Sequence, residues 1–372
     1  MASNIRPSGV FDTNYGQNIS INRTLWDKLG TNVLFVLLLI LPLLTRAGPF
    51  DLNIIPEAWI GTIVRIAILA IAVQGLNILI GYTGQISLGH AAFMTVGAYS
   101  GAILARELGF AFWIAVPCAA LITGFVGLLF GLPSLRVKGF YLAMATLAAQ
   151  FIIPWVLRYP MEGLTNGTRP LEVPNPEFFG ISFGPTASFY YVAVILAVIL
   201  FLAARNIVRT RTGRAFISVR DNDLAAELLG INVFNYKLQA FFLSAMYAGI
   251  AGALRAFEAG TVPPEPSLVQ FAASIEMLAM LVIGGAGFSL GPLFGVGFVN
   301  ILQEQIIPNV NSWMLGWLPT VLPFIGVANI QASLTRILFG GALMIFLILE
   351  PRGIAYRWEI LKISWKIRPY SY

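Results

Sequence analysis

Residues 59–80 read WIGTIVRIAILAIAVQGLNILI, and residues 81–90 read GYTGQISLGH. The first stretch holds a single ionisable residue, Arg65. A helix of ~20 apolar residues, rising ~1.5 Å per residue, crosses a hydrocarbon core of ~30 Å. The run therefore predicts a transmembrane helix that stops at a glycine-rich break. Runs of the same character recur at 31–44, 88–105, 110–132, 140–157, 187–204, 238–258, 271–283, 291–307 and 334–349. Together they predict about ten spans. The run at 271–283 is short and leaves open a continuation through Gly284–Gly287. Residues 312–327, with Trp313, Trp317, Pro319 and Pro323, fit either a half-helix dipping into the bilayer or an amphipathic interfacial piece.

Of 372 residues, 58% are hydrophobic and 11% charged, whereas soluble domains carry ~25% charged residues. Lipid must solvate most of this surface, so the expected fold is all-α, a polytopic transmembrane helical bundle. Its parts are a tail at 1–30, a membrane domain at 31–350 with a polar loop at 205–237, and a tail at 351–372. The stretch 1–26 lacks the apolar core of a cleaved signal peptide, so the first span is expected to stay as an anchor. The single cysteine, Cys118, excludes an intrachain disulfide. With one histidine besides, the chain lacks the ligand clusters of zinc or haem sites, and no cofactor of its own is expected.

The net charge is +6, but the basic residues fall in short loops, where the positive-inside rule accounts for them without a nucleic-acid partner. The densest group, Arg205, Arg209, Arg211, Arg214 and Arg220, places its loop in the cytoplasm. Span parity then puts Arg136, Lys138, the N-terminal Arg6, Arg23 and Lys28, and the C-terminal Arg352, Arg357, Lys362, Lys366 and Arg368 on the same side. Both termini are thus expected in the cytoplasm. The opposite side receives the proline-rich loop 158–188 and the turn 260–267, which suit docking of an extracytoplasmic partner. An internal echo links GYTGQISLG at 81–89 with GGAGFSLG at 284–291, each following an apolar run of the same direction. Transporters built of two related halves show such paired glycine interruptions.

Residues 211–245 read RTGRAFISVRDNDLAAELLGINVFNYKLQAFFLSA, with Phe216, Leu224, Leu228 and Leu229 at helical spacing. A short amphipathic helix here either lies on the membrane surface or docks into a groove of another subunit. Ala225, Ala226 and Gly230 form an Ala-Ala-x-x-x-Gly core, matching the loop by which ABC importer permeases contact their ATPases. With GYTGQISLGHAAFMTVGA at 81–98, LPSLRVKGFYLAMATL at 132–147 and EPRGI at 350–354, the chain resembles the branched-chain amino acid ABC transporter permeases of the LivM type. The likeness runs from about Val64 to Ile354. Departures are Leu224 where many importers open the contact motif with an acidic residue, and GLTNGTRPL at 163–171 for the family's external stretch.

The resemblance implies a second, similar permease subunit, two ATP-binding subunits and a periplasmic solute-binding protein, in a bacterial inner membrane. It implies branched-chain amino acids as the solute, with urea, short amides or aromatic acids as alternatives. No G-x-x-x-x-G-K-[ST] occurs, so ATP must be hydrolysed by partner subunits. The expected ATPase-coupling residues are Arg214, Arg220, Asp221, Asp223, Ala225, Ala226, Glu227 and Gly230: the arginines steer an acidic partner rim, and the small residues permit close packing.

For the solute pathway the expectation is Gly81, Thr83, Gly84, Gln85, Ser87, Gly89 and His90, because glycines break a helix where protein or a water-filled cavity satisfies the backbone. The other reading is a plain cytoplasmic turn. His90 is either a titratable switch or a satisfied structural residue. Gln74 and Asn77 share a helical face and either line the pathway or bond a neighbouring helix. Arg65, Arg255, Glu258, Glu276 and Glu304 fall near the external helix ends, where snorkelling lowers their cost. That placement speaks against an ion-coupled carrier, and no cluster of nucleophile, base and acid suggests a membrane enzyme.

Overall fold

In the computed structural model, which describes residues 57–134, 140–178, 181–182, 186–264, 267–315 and 327–367, the run containing Arg65 is helix α1, Glu57–Leu76. It continues into a π-helical turn, Asn77–Tyr82, where the span ends. The chain then forms α2 (His90–Arg106), α3 (Phe112–Ser134), α4 (Phe140–Arg158) and the short α5 (Glu162–Thr165). Strands β1 (Leu171–Glu172), β2 (Glu177–Phe178) and β3 (Ile181–Ser182) precede α6 (Thr186–Arg209), α7 (Arg211–Asp221), α8 (Asp223–Leu228) and α9 (Val233–Ala259). After β4 (Thr261–Val262) come α10 (Ser267–Gly284), α11 (Gly291–Ile301), a second π turn (Leu302–Ile306), α12 (Ile307–Leu315), α13 (Val327–Leu349) and α14 (Ile354–Ile367).

Among the described residues five helices are long and apolar enough to cross a membrane: Ala58–Tyr82, Phe112–Leu132, Tyr141–Arg158, Phe189–Arg209 and Val233–Ala259. The chain is a polytopic helical membrane protein. The expected span 31–44, the basic residues Arg6, Arg23, Lys28, Arg136, Lys138 and Arg368, and most of 312–327 lie outside the described residues.

Two elements differ from a simple lipid-facing span. Helix α2 packs against α3, α4, α9 and α10 and is mostly buried. Its polar residues therefore bond within the helix: Thr95 donates to Ala91 O at 3.0 Å and Ser100 to Val96 O at 2.7 Å. Helix α10 gains length over 271–283 at its N-terminal end. It does not continue through Gly287, because Gly285 (φ 103) and Gly287 (φ 86) adopt left-handed backbone that ends a helix.

Helix α9 forms the core with α2 and α3 through small residues. A Cβ on Gly97 would run into the backbone of Gly249, so the two helices touch backbone to backbone, as membrane helices do at small-residue faces. On α3, Leu121, Phe125, Leu129 and Leu132 remain exposed at helical spacing, the stripe expected to meet lipid.

The loop 158–188 is tied to the turn after α9. Strands β1 and β4 pair antiparallel (Leu171 with Val262, Glu172 with Thr261), and Arg158 Nη2 donates to Pro264 O at 2.8 Å. Residues 62–358 form one compact unit; residues 1–61 with 359–372 make up another, of which the start of α1 and the end of α14 are described.

Candidate functional site

The first glycine loop begins where α1 winds into its π turn. Gly84, at φ 70, caps the helix by donating to Ile80 O at 3.1 Å. Thr83 Oγ1 donates to Leu79 O at 2.6 Å, and Gln85 Nε2 donates to Thr83 Oγ1 at 3.0 Å. Thr83, Gln85, Ser87, Gly89 and His90 are buried, whereas Gly84 is exposed. His90 Nε2 lies 2.8 Å from Ala72 O, so the imidazole donates there and is a satisfied core residue. Gln74 is buried on α1 among apolar neighbours, and neither end of its amide meets a partner among the described residues.

Asn77 joins this loop to its echo. Its Nδ2 donates to Phe288 O at 3.0 Å, and its Oδ1 accepts from Gly287 N at 2.8 Å. A Cβ on Gly81 would collide with Asn77 Oδ1 and Gly287 N, so the backbones of the two glycine loops meet there.

The amphipathic segment is two helices, not one. Asn222, extended at φ −161, separates α7 from α8 and accepts from Ala225 N at 3.1 Å as the N-cap of α8. Helix α8 closes on Gly230: Ile231 N donates to Ala226 O at 3.0 Å and Gly230 N to Glu227 O at 2.9 Å, with Gly230 at φ 81. This is a Schellman ending, which requires a left-handed residue at that position. Among the described residues nothing lies within 4 Å of a Cβ placed on Gly230, so backbone conformation rather than packing against them selects glycine.

Ala226 is buried and Ala225 exposed; the outer face of α8 carries Leu224 (67% exposed), Leu228 (87%) and Leu229 (81%). The acidic residues expected to meet a partner are partly occupied within the chain. Asp223 pairs with Lys237 of α9 at 2.6 Å, and Asp221 with Arg220 at 3.2 Å. Arg214 Nη1 reaches Arg209 O at 3.3 Å, and Glu227 is exposed. Arg220 Nη1 donates to Gly81 O at 2.7 Å.

The four sequence stretches that carried the resemblance thus converge on one end of the bundle. Leu88 N donates to Thr146 Oγ1 at 3.0 Å, bringing the stretch at 132–147 to the first loop. A Cβ on Gly353 of EPRGI would lie 2.5 Å from Gly285 Cα, placing that motif on the second loop.

Towards the opposite end, a cavity of about 440 Å³ lies between α1, α2, α9, α10 and the second π turn. Its walls include Arg65, Arg255, Glu276, Asn300, Gln303 and Glu304. The ionisable residues here are also paired with one another or with polar side chains. Arg65 meets Glu304 at 2.6 Å, Thr62 Oγ1 donates to Glu304 Oε2 at 2.6 Å, Arg255 pairs with Glu258, and Gln303 Nε2 donates to Glu276 Oε1 at 2.6 Å. None of the expected pathway residues from Gln74 to His90 lines this cavity. The signal that marks it in sequence is the set of ionisable residues inside apolar runs, which are functional by default.

Residues 59–348 match the family model described as "Branched-chain amino acid transport system / permease component". The chain is similar to the high-affinity branched-chain amino acid transport system permease protein LivM of Escherichia coli (strain K12). The two are 28% identical over 355 residues, covering 89% of this chain and 75% of that protein. It is also similar to the probable branched-chain amino acid transport permease protein LivH of Methanocaldococcus jannaschii, 26% identical over 261 residues (66% and 79%). The autoinducer 2 import system permease protein LsrC of Klebsiella pneumoniae is 29% identical over 198 residues (50% and 53%). No solved structure matches.

Proposed function

This chain belongs to the branched-chain amino acid transport system permease family, and on that premise we propose that it is a translocation subunit of an ATP-driven importer for branched-chain amino acids. It works with a second permease subunit, two ATP-binding subunits and an extracytoplasmic solute-binding protein, as a multi-pass protein of about ten spans in a bacterial inner membrane. The observation that carries this reading is α8, a capped helix whose exposed face is three leucines. An anionic lipid surface would disfavour the neighbouring Asp221 and Glu227, whereas an apolar ridge of this kind suits a groove in a partner subunit.

Orientation follows from the same end of the bundle. Arg220 and Arg352 both lie at the joined glycine loops, which supports placing that end in the cytoplasm. The cavity then faces the side from which solute arrives. Its walls carry both cationic and anionic side chains, Arg65, Arg255, Glu276 and Glu304, which favours a zwitterion that exchanges into those pairs over a neutral solute such as urea. Alternating access would tilt the spans around α8 so that the cavity opens to each side in turn.

The test is uptake of radiolabelled leucine by membrane vesicles holding the assembled transporter. ATP-dependent, saturable uptake that valine competes and urea does not is the expected result. Competition by urea or phenylalanine in place of valine would overturn the substrate assignment.

A further inference from the structure

We infer that Arg220 is a positioning residue for transport, the tie through which movement of α8 reaches both glycine loops, and that Asn77 makes the two loops respond together. This rests on the reading of α8 as the ATPase contact.

Arg220 lies in the last turn of α7, and Asn222 is already the cap of α8, so one residue separates the guanidinium's anchor from the coupling helix. Its Nη1 donates to Gly81 O at 2.7 Å. That carbonyl is in the π turn that closes the span begun by α1, where backbone acceptors lose their helical amide partners and a cation is favoured by the helix dipole. The Gly84 side of the loop is equally close: a Cβ there would sit 3.1 Å from Arg220 Cγ. A Cβ on Gly287 would sit 3.1 Å from Arg220 Nη1, so the same guanidinium abuts the second loop. Asn77 then bonds that second loop through both ends of its amide, at Gly287 N and Phe288 O.

The geometry leaves the arginine's charge committed. Asp221 and the Gly81 carbonyl occupy it from two sides, so steering an acidic partner is a lesser use of it. A helix shift of even a few ångströms at α8 must either carry the Gly81 loop along or break a charge-assisted hydrogen bond. Gly81 lies in the π turn that continues α1, Gly287 follows α10, and both helices wall the cavity. Moving the two loops together therefore moves two of the cavity walls.

The experiment uses the complete transporter in vesicles and reads the ratio of leucine imported to ATP hydrolysed, together with thiol labelling of Ile86→Cys in a Cys118→Ala background. Ile86 is 46% exposed in the first loop. Arg220→Ala removes one charge-assisted hydrogen bond and Asn77→Leu removes both neutral bonds to the second loop, so each should lower the coupling ratio about tenfold. Arg220→Lys, which keeps a donor for Gly81 O, should recover much of it. ATP should change the labelling rate in the unaltered transporter and no longer do so in Arg220→Ala. An unchanged ratio, a fall in uptake strictly parallel to hydrolysis, or an ATP response of Ile86→Cys that survives Arg220→Ala would overturn the proposal. A transporter that recruits no ATPase even with Arg220 and Asn77 intact would instead remove the functional reading, and the proposal with it.

Discussion

The Gly287 amide donates to Asn77 Oδ1 at 2.8 Å, across 210 residues of chain. The two residues belong to GYTGQISLG and GGAGFSLG with their flanks, so stretches that look alike in sequence are hydrogen-bonded partners in the fold. Their union lies at the end that also holds α7, α8 and EPRGI.

Replacing Gly81 with alanine should destabilise the junction. The added Cβ meets Asn77 Oδ1 and the Gly287 backbone, and backbone cannot rotate away. Overpacking of this kind costs ~1–3 kcal/mol. The thermal midpoint in detergent should fall for Gly81→Ala and stay unchanged for Gly297→Ala, where none of the described residues lies within 4 Å of the new atom.

At Gly230 the order of substituents separates conformation from packing. A left-handed residue costs an ordinary L-amino acid roughly 1–2 kcal/mol, and asparagine less than alanine. Because Gly230 has φ 81 in open space, Gly230→Asn should retain more coupled uptake than Gly230→Ala. The reverse order would mean that an ATPase packs directly on this position.

Leu228 and Leu229, the most exposed leucines of α8, should behave as interface anchors. Fully burying a leucine side chain contributes ~1.5–3 kcal/mol, and a charge in its place adds a desolvation cost. Leu228→Glu should reduce copurification of the ATP-binding subunit while the chain still inserts. Equal recovery of that subunit would assign the ridge to lipid.

Substitutions in the cavity should shift apparent solute affinity, while Gln85→Ala and Ser87→Ala should not. Arg65→Ala leaves Glu304 with Thr62 but without its cation. Glu304 is the more enclosed partner, so leaving it without its cation is worse than removing both charges. The double variant Arg65→Met with Glu304→Gln should accordingly be better folded than Arg65→Met alone, as a double-mutant cycle of these two substitutions on thermal stability would reveal.

Much of the fold is legible in the sequence because lipid imposes a simple rule: α1, α3, α4, α6 and α9 coincide with apolar runs. Helix α2 is legible as a run but not as an inner helix, since its burial depends on Gly97 meeting Gly249 about 150 residues away. The split of the amphipathic segment turns on the single cap Asn222, which helical periodicity does not weigh. The cavity is marked in sequence only by its ionisable residues, and their pairing is not legible there. Arg65 and Glu304 are each readable as isolated charges near a helix end, and only the packing of α1 beside the second π turn makes them a pair.

The central claim is that this chain moves solute only when an external motor acts on α8. The direct measurement is uphill leucine uptake into proteoliposomes containing the purified permease subunits, with and without the ATP-binding subunits, the solute-binding protein being present throughout. The account predicts accumulation only with the ATP-binding subunits and ATP. Accumulation by the permeases alone, driven by a proton or sodium gradient, would contradict it.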